Sequence, residues 1–158
     1  MLLYHFTHKD ALAGIMAEGL WRGEVPLTER EVLTAVNLTT SPTPQGMGVQ
    51  IEDKEVDTVV LKAKGLLPQD APPTIIFKAK TDIRIAVRVE SRDRNLVQWR
   101  RFARKRLEPR WRETLEKGNR PETWWLYFGT ILPDRFAMVA LRTAAGYEPI
   151  ERPETLTP

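Results

Sequence analysis

Residues 2–20, LLYHFTHKDALAGIMAEGL, constrain this chain more than any other stretch. A short apolar run suited to a strand covers residues 2–6 and carries His5. Helical spacing then takes over at once. Leu12, Ile15 and Met16 fall on one face, among the helix formers Ala11, Ala13 and Ala17. Thr7 or His8 marks the start of that helix and Gly19 its end. The chain must therefore place a titratable ring where a strand stops and the backbone turns. Groups at such a place can face a cleft rather than a core.

The remaining pattern predicts one α+β domain. A length of 158 residues suits a single domain over 1–150, with a Pro-rich, flexible tail over 151–158. Thr28 and Glu31 have capping-box spacing, which predicts a short helix from residue 28. AVNLTT, residues 35–40, reads as a strand ended by SPTPQGMG. The apolar run in VDTVVLKAKG fits either a strand or a buried helical turn. IIFKAKTDIRIAVRVE gives the clearest strand signal, with Ile83, Ile85, Val87 and Val89 alternating against Asp82, Arg84, Ala86 and Arg88. Residues 94–117 predict a helix broken near Pro109. TWWLYFGTIL and FAMVALR predict two strands around a turn at Pro133 and Asp134. Helices enter this order without regular βαβ alternation, which favours α+β over a doubly wound sheet.

Composition removes several function classes. The chain has no Cys, which excludes disulfides and Cys-based metal sites. Its two His argue against a structural zinc site. No apolar run approaches the roughly 20 residues of a membrane-spanning helix. No basic region precedes the first apolar run, so a signal peptide is not expected and a cytoplasmic location is. Net charge is +3, a mild bias toward anionic partners.

Four groups of residues are candidates for chemistry. Alternation puts His5 and Thr7 on one face of the first strand, with Tyr4 and Phe6 on the other. An imidazole and a hydroxyl about 7 Å apart can address a ribose diol. A structural His bonded to backbone, with Thr7 capping the next helix, is the competing reading. Thr39 and Thr40 end a strand before Pro42 and either line a cleft mouth or lead into a turn. The segment RRFARKRLEPRWR interleaves Phe102 and Trp111 with basic residues, Arg100, Arg101, Arg104, Lys105 and Arg106 among them, and Trp99 precedes it. Basic groups with aromatics suit nucleic acid, whereas helical spacing of those aromatics suits a core with a solvated basic face. Glu122 is the carboxylate nearest a strand edge in the last third, and is either an electrostatic catalyst or a turn residue. No Gly-rich phosphate loop, zinc-protease or serine-hydrolase motif is present.

LLYHFT followed by ALAGIMAEGL resembles the ADP-ribosyltransferase superfamily, which includes the poly(ADP-ribose) polymerase, diphtheria-toxin and RNA 2′-phosphotransferase branches. AVNLTT, TDIRIAVRV and TWWLYFGTILPDRFAMV are similar to its later core strands in shape. The resemblance implies a split pair of small sheets with a cleft between them and flanking helices. It implies NAD as substrate, transfer of ADP-ribose and release of nicotinamide. His5 would hold the nicotinamide-side ribose beside Thr7, with Phe6, Asn37, Thr39 and Thr40 lining the site and Glu122 as catalytic carboxylate. The basic helix would favour a nucleic-acid or other anionic acceptor through Arg100, Arg101, Arg104, Lys105 and Arg106. Three places depart from the family pattern. Phe6 stands where a Gly follows the His. Asn37 stands where an aromatic stacks on nicotinamide. The catalytic Glu position falls nearer Trp125 than Glu122. These departures keep two other functions in play: a binding module without catalysis, and a nucleic-acid-binding protein with a structural His5.

Overall fold

A computed structural model describes residues 1–150; the tail expected over 151–158 lies outside the described residues. β1 (Leu2–Thr7) leads through a 3-10 turn at Lys9–Ala11 into α1 (Leu12–Glu18). β2 (Glu24–Pro26) and β3 (Val32–Thr34) form a hairpin, followed by β4 (Val36–Thr39). β5 (Lys54–Asp57) and β6 (Thr74–Phe77) form a second hairpin around α2 (Val59–Ala63). β7 (Ile83–Arg88), β8 (Leu96–Gln98), α3 (Trp99–Arg106) and α4 (Pro109–Glu116) come next. β9 (Trp124–Tyr127), β10 (Phe136–Thr143) and β11 (Gly146–Pro149) complete the described chain. The result is α+β, with few helices and one antiparallel seven-stranded sheet in the order β11-β10-β7-β1-β4-β9-β8.

The sheet is continuous but unevenly joined. β1 pairs with β7 from Leu2↔Arg88 to Thr7↔Ile83. On its other edge β1 meets β4 at the single pair Tyr4↔Thr39. Continuing that register would pair Phe6 with Asn37, and no such pair forms. Four strands and three strands thus share one sheet and splay apart past a single bridge. The expected division into two separate small sheets is therefore corrected to one sheet with a seam.

Each face of this sheet buries a different cluster. Leu3, Ile83, Ile85, Val87 and Val139 pack with Leu38 and Tyr127. Leu12, Ile15 and Met16 of α1 cover them, as their helical spacing predicts. Leu126 and Trp124 pack with Trp99, Phe102, Ala103 and Leu107, and Trp111 and Leu115 of α4 join them. The aromatics of the basic segment therefore belong to the core. Pro109 opens α4 rather than kinking a single helix, since a first-turn Pro has no hydrogen bond to lose.

Two expectations change on contact with the fold. The Thr28 hydroxyl does accept from the Glu31 amide at 2.9 Å, but the bond closes the β2–β3 turn instead of starting a helix. The Leu27 amide donates to the Glu31 carbonyl at 2.8 Å, and the chain leaves as a strand. The long strand signal after residue 74 divides into β6 in a hairpin and β7 in the main sheet. The ambiguous run at residue 59 is helical, as α2.

Two glycines hold the chain against the seam. Gly19 ends α1 at φ +88°, and a Cβ there would lie 2.6 Å from the Ile131 carbonyl oxygen. Leu20 and Ile131 then exchange backbone bonds at 2.9 and 2.8 Å. At Gly23 a Cβ would lie 2.1 Å from the Ala35 carbonyl oxygen, and the Gly23 carbonyl accepts from the Ala35 amide at 3.1 Å. Gly23→Ala must push β2 away from the residue that opens β4. We expect it to cost about 2 kcal/mol or more in urea denaturation; an unchanged midpoint would contradict this close approach.

Candidate functional site

The seam is where β1 and β4 contribute polar groups instead of ladder hydrogen bonds. His5 Nδ1 donates to the Asn37 carbonyl oxygen at 2.9 Å, across the gap that a Phe6–Asn37 pair would have closed. That bond fixes the tautomer when the ring is neutral: Nδ1 carries the proton and Nε2 keeps its lone pair. Desolvation lowers the His5 pKa, the Asn37 bond opposes this in part, and the positive charge of Lys80 lowers it further. Neutral His5 at pH 7 follows. Nε2 has no hydrogen-bond partner among the described residues. His5 is thus bonded to backbone at one end of its ring and unpartnered at the other.

Thr7 adds a second open group. Its side chain is buried in the cleft wall, and its hydroxyl has no partner among the described residues. It does not cap the following turn, whose capping position is His8, without a side-chain bond. The Asn37 side chain donates from Nδ2 to the Glu24 carbonyl at 3.3 Å, tying β4 to β2.

Two chambers meet at the seam. One, about 780 Å³, is lined by His5, Phe6, Thr7, the α1 residues Gly14 and Glu18, and Arg22. The other, about 500 Å³, is lined by Val25, Phe77, Trp99, Leu115, Trp124 and Leu126. His8, Glu24, Asn37, Met47, Val49 and Lys80 belong to both walls. Each volume lies in the usual range for small-molecule sites. The first chamber holds ionisable groups, His5, Asp10, Glu18 and Arg22 among them. The second is walled by aromatic rings, with the Trp99 and Trp124 indole N–H groups already bonded to Glu116 Oε1 and the Gly46 carbonyl, both at 2.8 Å.

The structure gathers some of the sequence candidates and separates others. His5, Phe6, Thr7 and Asn37 line the seam cleft. Phe6 is buried, its ring 5.7 Å from that of Tyr147. Thr39, itself the β4 half of the bridge, is fully buried and bonds Thr123 Oγ1 at 3.1 Å, while the Thr40 amide donates to the Thr123 carbonyl at 3.0 Å. Neither lines a chamber wall. Glu122 is exposed on a 3-10 turn, held below the usual carboxylate range by its own backbone amide and by Arg120 at 3.4 Å. It too lies outside both chambers. The carboxylate present in both is Glu24, set in place by the Gly23–Ala35 contact. His8 reads in the sequence only as a start of the first helix, and Lys80 is not singled out there. Lys80 read as one polar position of a long strand, and no local pattern marks it.

No known protein family, characterised protein or solved structure matches this chain. The site therefore stands on its own geometry. Among the described residues no group of His, Asp and Glu is placed to hold a metal ion. No helix among them is long and apolar enough to cross a membrane.

The lowered pKa of His5 gives a signed pH dependence. The folded protein binds this proton less readily than the unfolded chain, so stability rises with pH between the two values. His5 therefore contributes no penalty above its ordinary value of 6.5 and destabilises the fold as pH falls from there toward the lower folded value. Unfolding free energies from pH 8 to pH 5 should fall more steeply for the native chain than for His5→Gln. Parallel curves would show that His5 is not desolvated at the seam.

Proposed function

We propose that the seam cleft binds NAD and transfers its ADP-ribose to an acceptor. The observation that carries this reading is the His5 ring bridging β1 and β4. Its open Nε2 and the Thr7 hydroxyl address the same chamber, as a ribose diol requires. The N-terminal resemblance supports it, since His5 occupies the ribose-binding position of the family pattern. The chemistry follows. The bond between ribose C1′ and the cationic nicotinamide nitrogen breaks, and nicotinamide leaves with the bonding pair. Positive charge develops on the ribose, and a nearby carboxylate stabilises it. The acceptor then bonds to C1′ and releases a proton. Neutral His5 Nε2 accepts from a ribose hydroxyl and orients the sugar, which is positioning rather than proton transfer.

In this reading Glu24, not Glu122, supplies the negative charge, because it is the carboxylate both chambers share. The second chamber offers an aromatic wall, which the departure at Asn37 removes from the second core strand. Incubation with NAD should release nicotinamide. His5→Ala should weaken NAD binding about tenfold or more. Glu24→Gln should keep binding and lower turnover about a hundredfold, and Glu122→Gln should change neither. Saturable NAD binding with no nicotinamide release across acceptors would leave a binding module. Loss of activity in Glu122→Gln alone would return the catalytic role to Glu122.

A separate observation supports a polyanionic acceptor. Arg100, Arg101, Arg104, Lys105 and Arg106 of α3 are all exposed, and none has an acidic partner within ion-pair distance among the described residues. Their aromatic neighbours Trp99 and Phe102 are buried, and the Trp111 indole is bonded to the Pro26 carbonyl at 3.1 Å. Bases cannot stack there, so phosphate contact is what remains. Single-stranded nucleic-acid affinity should fall with salt. Replacing Arg101, Arg104 and Lys105 together by Gln should reduce the log–log slope by about 2. An affinity insensitive to salt would remove nucleic acid as the partner of α3.

A further inference from the structure

We propose that the wall shared by the two chambers is a diphosphate seat, in which Lys80 and His8 hold the anionic linker of a two-headed nucleotide. This rests on the ribose reading of the His5 chamber and adds the part of the ligand that crosses the seam. Three observations lead to it. First, the chambers differ in lining, with His5, Asp10, Glu18 and Arg22 in one and Trp99, Trp124 and Phe77 in the other, yet they meet along His8, Glu24, Asn37 and Lys80. A ligand filling both needs two dissimilar heads and a connection at that wall. Second, Lys80 is exposed and has no acidic partner within ion-pair distance among the described residues. The other cations of the cleft are engaged: Lys78 with Asp53 at 3.9 Å, and Arg22 with Glu18 at 3.9 Å. Third, His8 Nδ1 is shielded from solvent and has no hydrogen-bond partner among the described residues. Buried polar atoms are nearly always bonded, and exceptions gather where a ligand completes them.

These observations point to one anion. Lys presents a compact charge suited to phosphate oxygens. Lys80 and His5 line the same chamber, so a group bound to Lys80 shares it with the ribose held by His5. His8 lines the same wall and brings an unpartnered ring nitrogen to it. A diphosphate has oxygens enough for both residues and carries a sugar at each end. Glu24 lies in the same wall and repels an anion, which places the diphosphate on the Lys80 side of the junction.

Calorimetric titration with NAD, inorganic diphosphate and nicotinamide riboside separates this seat from the ribose site. Lys80→Gln should weaken NAD and diphosphate about tenfold or more and leave the riboside unchanged. Lys80→Arg should restore binding. His8→Phe should weaken the same two probes. Lys80 is exposed, so its variants should melt as the native chain does. His5→Ala should weaken the riboside and spare diphosphate. Unchanged NAD and diphosphate affinity in Lys80→Gln overturns the seat, as does equal native affinity for NAD and the riboside; in either case the ribose reading stands. Lys80-dependent diphosphate binding without any NAD binding keeps the seat and overturns the ribose reading. Binding of none of the probes overturns both.

Discussion

The contact between His5 Nδ1 and the Asn37 carbonyl takes the place of a strand pair. Past Tyr4↔Thr39 the two central strands separate, and backbone groups at an unpaired inner edge need other partners. One imidazole reaches across and satisfies the Asn37 carbonyl at 2.9 Å. The gap thereby becomes a walled cleft with a lone pair facing into it. Asn37 extends the same arrangement outward through its side chain to Glu24. The position of the cleft carboxylate therefore depends on the strand that the His holds.

The rest of the sheet is fastened on either side of this seam. On the three-strand side, Thr39 and Thr123 bond at 3.1 Å in the interior, fixing β4 to the segment that opens β9. Asp93 accepts from the Tyr127 hydroxyl at 3.1 Å and pairs with Arg135 at 3.3 Å, which joins β9 to the turn before β10. The Asn95 amide, then the Tyr127 and Arg135 bonds, hold the Asp93 carboxyl below its ordinary range despite desolvation. Arg135 also donates to the Arg88 carbonyl at 3.2 Å, which carries the tie back to β7. With the halves joined to each other through Arg135, away from the seam, β1 and β4 need share only a single bridge. Stability is supplied by the two cores, and the seam is free to hold polar groups.

Much of this was legible in the sequence because local chemistry and tertiary context agree. The run into His5, the helix over α1, the Gly19 stop and the alternation of Ile83, Ile85 and Val87 all read correctly. Where they disagreed, the longer-range contact decided. Thr28 and Glu31 make the bond their spacing predicts, but pairing of β2 with β3 turns it into a hairpin. Residues 74–89 carry one strand signal and serve two sheets. The site was legible only as far as β1 and Asn37 carry it. Thr39, Thr40 and Glu122 looked like cleft residues by position along the chain, yet the register sends them elsewhere. Glu24 and Lys80 enter the cleft through a glycine contact and the connection between β6 and β7. Neither leaves a mark in local periodicity.

The central claim is that His5 bridges the seam through Nδ1 and offers Nε2 to a nucleotide ribose. Long-range 15N–1H correlation spectra of the His side chains, with and without NAD, test both halves at once. The account predicts a neutral His5 with its proton on Nδ1 at pH 7, and a shift of the Nε2 resonance on addition of NAD. A proton on Nε2, or an Nε2 resonance unmoved at saturating NAD, would contradict it.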